Sequence, residues 1–286
     1  MVATIAAPVR ARIDASLDGD FAARAQQIVH LGQSAVVLHP NGATADEPWL
    51  LTITDGAGGV TPGGISIPSP VAFARVRGEF AFAGLGATVD LSAWASCREL
   101  VPVELRLAPR DFDSGAIRAV SAALVGALPT TSTAFDGGLE RVRSRAGDLA
   151  AASLALDPGP VVADLIGAGP GTTPTGDDMV VGCLAALAVL DRPDAASALS
   201  AAVAPLLAAT TTTSRHYLAA AASGRFAEHV NELVAGFATG HAADQLVAHA
   251  RRWGATSGVD LLIGLAATLR ADLVARTVAR TVKGVA

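Results

Sequence analysis

Hydrophobic residues in the first 110 positions form short β-branched runs that are separated by turn residues. These runs predict strands over 35–38, 50–54, 65–67, 73–76 and 87–91. The turn signals between them are Asn41-Gly42, Asp55-Gly56 and Pro62-Gly63-Gly64. The range 19–29 is an exception, because Phe21, Ala25 and Ile28 have helical spacing. Short strands at such intervals predict an antiparallel sheet or a small barrel.

Apolar positions after residue 110 recur at helical spacing instead. They predict helices over 115–128, 138–155, 160–166, 178–190, 194–208, 211–223, 226–238, 241–252 and 259–280. The stretch 179–190 is apolar on every face and is shorter than the ~20 residues that span a bilayer, so it predicts a buried helix. The expected fold class is therefore α+β, with a β-rich N-terminal part over 1–110 and an α-helical part over 111–286.

Composition narrows the class of protein. Hydrophobic residues make up 51% of the chain and aromatic residues only 4%, so the expected core consists of Ala, Val and Leu. A net charge of −5 with scattered Arg and Lys argues against a nucleic-acid partner. Cys97 and Cys183 are expected to be reduced thiols, with Cys183 in the core, and the first eight residues do not resemble a signal peptide. We therefore expect a cytoplasmic protein without a membrane partner.

The segment 167–178 is the most informative part of the chain. It reads Gly-Ala-Gly-Pro-Gly-Thr-Thr-Pro-Thr-Gly-Asp-Asp and leads directly into the apolar helix. Glycines allow close approach of a ligand, and a helix N-terminus offers unpaired N–H groups and a positive dipole end to an anion. The two carboxylates suit a cation or a substrate amine beside that anion. The predicted catalytic residues are Thr173, Asp177 and Asp178, and the predicted ligand contacts here are Gly169, Gly171, Thr172, Thr175 and Gly176.

Several alternatives remain for this segment. Asp177 or Asp178 is a suitable N-cap, and Gly167 is suited to end a preceding helix. A magnesium ion held by Asp177 and Asp178 is another interpretation, and the sequence indicates no other cofactor. The segment has no lysine for a P-loop and lacks the glycine spacing of a dinucleotide fingerprint, so neither nucleotide motif is supported.

Residues 256–264 repeat part of this pattern. Both segments read hydroxyl, Gly, x, Asp, three apolar residues, Gly, which aligns Thr175 with Ser257, Gly176 with Gly258, Asp178 with Asp260 and Gly182 with Gly264. Two ordinary N-caps explain the pattern equally well. The sharper hypothesis places the two helix N-termini at one site, where the second glycines allow close helix packing. It adds Thr256, Ser257, Gly258 and Asp260 to the ligand contacts.

The polar run 210–217 is a third candidate. Its hydroxyls and the forked guanidinium of Arg215 suit an anion, so Ser214 and Arg215 are predicted ligand contacts. The alternative is a polar helix start with Arg215 and His216 on a solvated face. The other histidines show no metal-ligand spacing.

The loop motif resembles a bacterial domain family of unknown function that includes a subunit of the oxamate carbamoyltransferase of anaerobic allantoin breakdown. The residues that carry this resemblance are Gly167, Gly169-Pro170-Gly171, Thr173-Pro174 and Gly176-Asp177-Asp178 with the apolar helix that follows. Weaker similarity runs through 210–224, 254–265 and 84–94. The resemblance implies a bacterial protein that handles carbamoyl groups or small carboxylates, with partner subunits.

Three functions are compatible with these features. The first is an enzyme, or a subunit of one, that acts on a small anionic metabolite; the resemblance makes carbamoyl transfer the specific form, with oxamate, oxalurate and carbamoyl phosphate as candidate compounds. The second is a non-catalytic ligand-binding or assembly subunit of a hetero-oligomer, because the chain offers no strong nucleophile. The third is a Mg²⁺-dependent phosphoryl-transfer enzyme, which lacks its expected loop lysine.

Overall fold

The structure, a computed structural model of the chain, describes residues 2–16, 25–31, 35–40, 50–56, 59–91, 95, 99–127 and 134–285. The chain divides into two compact units. One comprises Met1–Arg106 with Phe226–His229, and the other comprises Leu107–Arg225 with Val230–Ala286. The first unit is built on a sheet and the second on helices, which confirms the α+β class. The division into domains over 1–110 and 111–286 stays a prediction.

The first unit contains a mixed seven-stranded sheet. Its strands are β1 (Val2–Ala6), β2 (Ala25–Leu31), β3 (Ala35–Pro40), β4 (Leu51–Thr54), β5 (Gly64–Ser66), β6 (Thr88–Asp90) and β7 (Glu99–Val103), in the order β6-β2-β3-β4-β5-β1-β7. The expectation of a purely antiparallel sheet is wrong, because β1 pairs with β7 and β4 with β5 in parallel. Local sequence patterns do not reveal the pairing of β1 with β7, because its partners are far apart in the chain, as in Thr4 opposite Val101.

In the described ranges of this unit, the helices α1 (Ala7–Ser16) and α2 (Pro70–Ala83) accompany the sheet. The strand predicted over 73–76 is wrong, because this range lies inside α2. Ser69 caps the helix by accepting a hydrogen bond from Ala72 N, and Pro70 occupies its start. Phe73, Val76 and Phe80 then fall on one buried face. The helix predicted over 19–29 is also wrong where it enters β2, and its first residues, 19–24, lie outside the described ranges.

The core of the first unit joins strand and helix side chains. Its fully buried or nearly buried members include Ile5, Val36, Leu38, Ile53, Ile65, Val76 and Phe80. The short segment Phe226–His229 belongs to the same unit, because Glu228 N donates to Val60 O and Val60 N donates to Glu228 Oε2. These bonds bring a late part of the sequence to the sheet.

The described residues of the second unit form helices and the loops that connect them. Its helices are α3 (Ser114–Ala127), α4 (Ala134–Arg143), α5 (Ala146–Leu154), α6 (Gly159–Leu165), α7 (Thr175–Val189), α8 (Pro193–Val203), a 3₁₀ helix (Ala204–Ala209), α9 (Thr212–Ala222), α10 (Glu228–Ala238), α11 (Ala243–Ala250) and α12 (Ser257–Val285). Most predicted helices are confirmed with shifted ends. No helix within the described ranges is long and apolar enough to cross a membrane.

Two predicted helices are divided in the structure. The helix predicted over 138–155 breaks after Arg143, where Arg145 N donates to Val142 O and Ser144 Oγ donates to Arg141 O. The helix predicted over 194–208 changes to 3₁₀ geometry at Ala204, because Pro205 has no N–H to continue the α-helical ladder. Breaks of this kind depend on individual backbone hydrogen bonds, which the spacing of apolar residues does not predict.

Helix α7 is buried along almost its whole length, as its apolar sequence predicted. Within it, Cys183 is a free thiol, its Sγ lies 3.6 Å from Ser153 Oγ, and burial raises the pKa of the thiol. Cys97 lies outside the described residues. Cys183 is therefore a core residue, as expected.

Helices α7 and α12 pack against each other through two glycines. A Cβ atom on Gly182 would lie 2.1 Å from Leu261 O, and one on Gly264 would lie 2.1 Å from Met179 O. Each glycine thus lets the backbone of the other helix approach where any side chain would collide. The predicted role of these glycines in close helix packing is confirmed, and their reciprocal contacts relate the two helices by an approximate twofold symmetry.

Candidate ligand-binding site

The glycine-rich loop connects the end of α6 to the start of α7. Gly167 follows the end of α6 with a φ of +76°, as predicted for its position. Gly169 and Gly171 also have positive φ angles, +118° and +93°, which other residues rarely adopt. The loop is exposed around Gly171, and a Cβ atom there would meet open space. Within the described part of the chain, the N–H groups of Gly171, Thr172 and Thr173 have no hydrogen-bond partner.

Asp177 is fully buried at the start of α7 and holds three segments together. Its Oδ1 accepts a hydrogen bond of 2.8 Å from Gly167 N. Its Oδ2 accepts hydrogen bonds from Thr210 Oγ1 and, at 2.6 Å, from Ser214 Oγ. Both carboxylate oxygens are therefore occupied by donors of the chain itself. This arrangement fixes the loop and the start of α9 against α7.

Asp178 has a different environment. Its side chain is 8% exposed, and its Oδ2 is buried without a hydrogen-bond partner among the described residues. Burial raises the pKa of Asp178 well above its usual value, and the nearby charges of Asp260 and Asp177 add to the increase. Hydrogen bonding by Ser257 and Thr173 acts in the opposite direction. A buried acceptor without a donor is costly in the free protein, and such groups are typical of functional sites.

Neither aspartate caps α7, so the N-cap interpretation is wrong for both. Pro174 precedes the first helical residue, Thr175, and no side chain caps this end. Asp177 and Asp178 therefore lie at the third and fourth helical positions. Asp178 N already bonds to Pro174 O at 3.1 Å. The two carboxylates differ because one points to Gly167 and α9, whereas the other lies beside α12.

The N-terminus of α12 lies against the N-terminus of α7, as the sharper hypothesis predicted. Thr173 Oγ1 and Ser257 Oγ are 2.6 Å apart, and Thr175 Oγ1 donates to Asp260 Oδ2 at 2.9 Å. The other oxygen of Asp260, Oδ1, accepts a hydrogen bond of 2.6 Å from Arg143 Nε in a buried ion pair. Two anion-attracting helix ends thus meet beside the ion-paired carboxylate of Asp260 and the buried Oδ2 of Asp178, which has no donor among the described residues.

The repeated sequence pattern corresponds to repeated geometry. A Cβ atom on Gly176 would lie 2.0 Å from Leu165 O, and one on Gly258 would lie 2.0 Å from Ala250 O. Gly176 N donates to Ala168 O and Gly258 N donates to Trp253 O, each at 2.9 Å. Both glycines are buried in packing contacts with the preceding helix, which argues against direct ligand contact at either one. The N–H group of Gly176 is likewise not available to an anion.

The polar run 210–217 supports the site from α9. Thr211 caps α9 by accepting from Ser214 N, and its hydroxyl also donates to Thr172 O. The guanidinium of Arg215 donates to Leu207 O at 2.9 Å and to Thr210 O at 3.5 Å, so it holds the preceding 3₁₀ turn. The expected solvated position of His216 is wrong, because that side chain is buried. Thr256 lies next to the site, where its carbonyl accepts from Asp260 N.

The described residues offer little to a metal ion. They contain no group of three or more His, Cys, Asp or Glu side chains that is arranged to hold one. Asp177 has no unoccupied carboxylate oxygen, since its three donors use both. This geometry argues against a magnesium ion between Asp177 and Asp178.

Sequence reasoning missed two contributors to the site. Arg143 is only 8% exposed, and its spacing does not distinguish it from Arg141 or Arg145. Thr210, the first residue of the polar run, donates to Asp177. Its position in a run of four threonines was the only available signal. Both residues act across long sequence separations.

The raised pKa of Asp178 predicts a pH-dependent contribution to stability. The folded protein binds the Asp178 proton more tightly than the unfolded chain, so this carboxyl group stabilises the fold below its ordinary pKa of 3.8. That stabilisation is lost as the pH rises through the raised pKa of the folded state. We expect Asp178→Asn to remove this component, so that the stability of the variant relative to the wild type increases with pH. Urea unfolding of both proteins across that range measures the difference, and parallel pH profiles would contradict the expectation.

Fold and site together define the class of protein. It is an α+β protein whose helical unit brings together, in what we call the cradle, two helix N-termini, a glycine-rich loop and a buried carboxyl oxygen that has no donor among the described residues. Residues 165–269, a little over a third of the chain, match the family model described as oxamate carbamoyltransferase subunit AllH. This match confirms the family resemblance, and it includes both N-termini and α9, but not the weaker similarity over 84–94. No curated protein and no solved structure matches the chain.

Proposed function

We propose that the chain is a subunit of a carbamoyl-transferring enzyme and that it binds a small anionic metabolite at the loop 167–176. The unpartnered Oδ2 of Asp178 is the observation that carries this proposal, because it leaves a buried acceptor beside an exposed anion-binding loop. The match of residues 165–269 to a carbamoyltransferase subunit family supports the reaction type. A cytoplasmic hetero-oligomer is the corresponding assembly.

The chemistry follows from the groups around the cradle. The N–H groups of Gly171, Thr172 and Thr173 and the positive end of α7 suit a carboxylate or phosphate. The same N–H groups are donors for a carbonyl oxygen on which negative charge develops during acyl transfer. The hydroxyls of Thr173 and Ser257 lie beside them and hydrogen-bond to each other at 2.6 Å. Asp178 is the group suited to proton transfer. Its pKa is raised, so at neutral pH the free-energy difference between its protonated and ionised forms is smaller than for an ordinary aspartate. We assign Asp177 to supporting the loop.

Ligand binding by the purified chain tests this proposal. Thermal shift is measured with oxamate, oxalurate, carbamoyl phosphate and phosphate, each with and without Mg²⁺. A ligand present at 100 Kd is expected to stabilise the protein by about 2.7 kcal/mol, and Mg²⁺ is expected to add nothing. Phosphate release from carbamoyl phosphate and oxamate then separates a complete catalyst from a chain that only binds, which is the expected result for a ligand-binding or assembly subunit.

The variant Gly171→Val locates the binding site. Its side chain would enter the space proposed for the ligand, so we expect the ligand-induced shift to disappear. Gly240→Val is the matched control, because Gly240 also has a positive φ, +73°, and open space around its Cβ position. Both variants should lose a similar stability of about 1–3 kcal/mol from backbone strain. A full ligand-induced shift in Gly171→Val would place the ligand elsewhere.

A further inference from the structure

The approximate twofold symmetry extends from the backbone to the polar side chains of the site. Thr175 is the first residue of α7, and its hydroxyl donates to Asp260 on α12. Ser257 is the first residue of α12, and its hydroxyl lies close enough to Asp178 on α7 to lower the pKa of that carboxyl group. Each helix therefore places a hydroxyl beside the carboxyl group of the other. Asp178 and Asp260 occupy equivalent positions, each the fourth residue of its helix.

The symmetry fails at one atom. The second oxygen of Asp260 accepts a 2.6 Å hydrogen bond from Arg143 Nε, a planar N–H donor that is itself buried. The corresponding oxygen of Asp178, Oδ2, has no donor among the described residues although it is also buried. The two carboxyl groups occupy equivalent positions, but only Asp260 has a guanidinium donor from the chain. Asp178 lacks an equivalent donor among the described residues.

We propose that a planar N–H donor of the ligand, of the carbamoyl, ureido or guanidino type, binds Asp178 Oδ2 in the way that Arg143 Nε binds Asp260 Oδ1. This inference rests on the proposed function and names the chemical group that the cradle selects. A carboxylate accepts planar N–H groups in its own plane, and such charge-assisted bonds are short and directional. The bond between Arg143 and Asp260 therefore shows, within the same protein, the geometry that we expect for the bond between the ligand and Asp178.

A donor group explains the unpartnered oxygen better than a cation does. The described residues hold no group of carboxylates and histidines arranged for a metal. The neighbouring hydroxyls of Thr173 and Ser257 are shared with each other at 2.6 Å. A ligand N–H group would satisfy Oδ2 without requiring further ligands from the chain. The same oxygen would repel a second carboxylate, so the cradle would distinguish an amide from a dianion.

A pair of isosteric ligands tests the inference on the wild-type chain. Oxamate and pyruvate carry the same charge and differ by an NH₂ group in place of a CH₃ group. Calorimetric titration should give oxamate an affinity at least about tenfold higher, because pyruvate leaves the buried acceptor unpaired. Equal affinities would overturn this inference while leaving the proposed function intact. Absence of binding by oxamate, pyruvate and carbamoyl phosphate alike would overturn both.

Variants of Asp178 assign the discrimination to this side chain. Asp178→Leu removes the acceptor and keeps the number and branching of side-chain heavy atoms, so the preference for oxamate over pyruvate should fall to within about twofold. Asp178→Asn retains an acceptor oxygen without the charge, and it should keep a reduced preference, which preserves the test if the leucine variant does not fold. Asp164→Asn changes an exposed aspartate that pairs with Arg145, and it should keep the full preference. A preference that survives unchanged in folded Asp178 variants would overturn the assignment.

Discussion

Replacing Asp177 with alanine is expected to lower the free energy of unfolding by about 3–5 kcal/mol, whereas Asp178→Ala should cost about 1 kcal/mol or less. The reason is the number of hydrogen-bond donors that each substitution leaves without an acceptor. Asp177→Ala removes the acceptor of Gly167 N, Thr210 Oγ1 and Ser214 Oγ, and hydrogen bonds to charged groups contribute about 1.5–3 kcal/mol each. Asp178→Ala removes a carboxyl group whose Oδ2 has no partner.

Chemical denaturation of the two variants at neutral pH measures this difference. Asp164→Ala is the surface control, with an expected change within about 0.5 kcal/mol, because its ion pair with Arg145 is solvent-exposed. Ligand titration should give the reverse order for the two site residues: binding is lost in Asp178→Ala and, under conditions where the variant is folded, retained in part by Asp177→Ala. Equal losses of stability would contradict the division of roles between these neighbouring aspartates.

Gly182→Ala is expected to destabilise the helical unit by about 3 kcal/mol or more. The added Cβ would lie 2.1 Å from Leu261 O and 2.8 Å from Leu265 N, both of them backbone atoms. Helices α7 and α12 must then separate along a contact that joins the two halves of the site, and close-packed cores accommodate such insertions poorly. Thermal unfolding and near-UV circular dichroism report the loss.

Gly138→Ala provides the control for helix propensity. Gly138 lies inside α4, is exposed, and has no atom within 4 Å of its Cβ position. Alanine there should stabilise the protein by about 0.5–1 kcal/mol. If Gly182→Ala lowers the stability and Gly138→Ala raises it, the close backbone contact at Gly182 is the cause of the loss. A neutral Gly182→Ala would show that the two helices are not held at this distance.

The sequence predicted the helical unit better than the sheet for a physical reason. A helix such as α7 carries its signal over many consecutive residues, so its existence survives errors at its ends. The run 73–76 is too short to distinguish a strand from a helix face. The decisive features were Ser69 and Pro70, which start α2, and the distant Phe80, which completes its apolar face. The pairing of β1 with β5 and β7 has no local signal at all.

The candidate site was predictable where its chemistry repeats in the sequence. The shared pattern of hydroxyl, Gly, Asp and Gly led to the hypothesis that two helix N-termini meet at one site, although two ordinary N-caps explained it equally well. The structure shows that Thr173 contacts Ser257 and that Thr175 contacts Asp260. The asymmetry of the site was not predictable. It depends on Arg143 reaching Asp260 from a third helix, and side-chain partners of this kind are set by tertiary packing alone.

The burial of α7 also sets the order in which the chain can mature during synthesis. This apolar helix emerges from the ribosome before α9 and α12 do, although Thr210, Ser214, Ser257 and Asp260 supply its polar partners. Nascent chains that stop between α7 and α12 therefore expose one of the most apolar surfaces of the protein to other chains. Chaperone dependence of expression should be concentrated in this interval, and it should end once the residues of α12 have emerged.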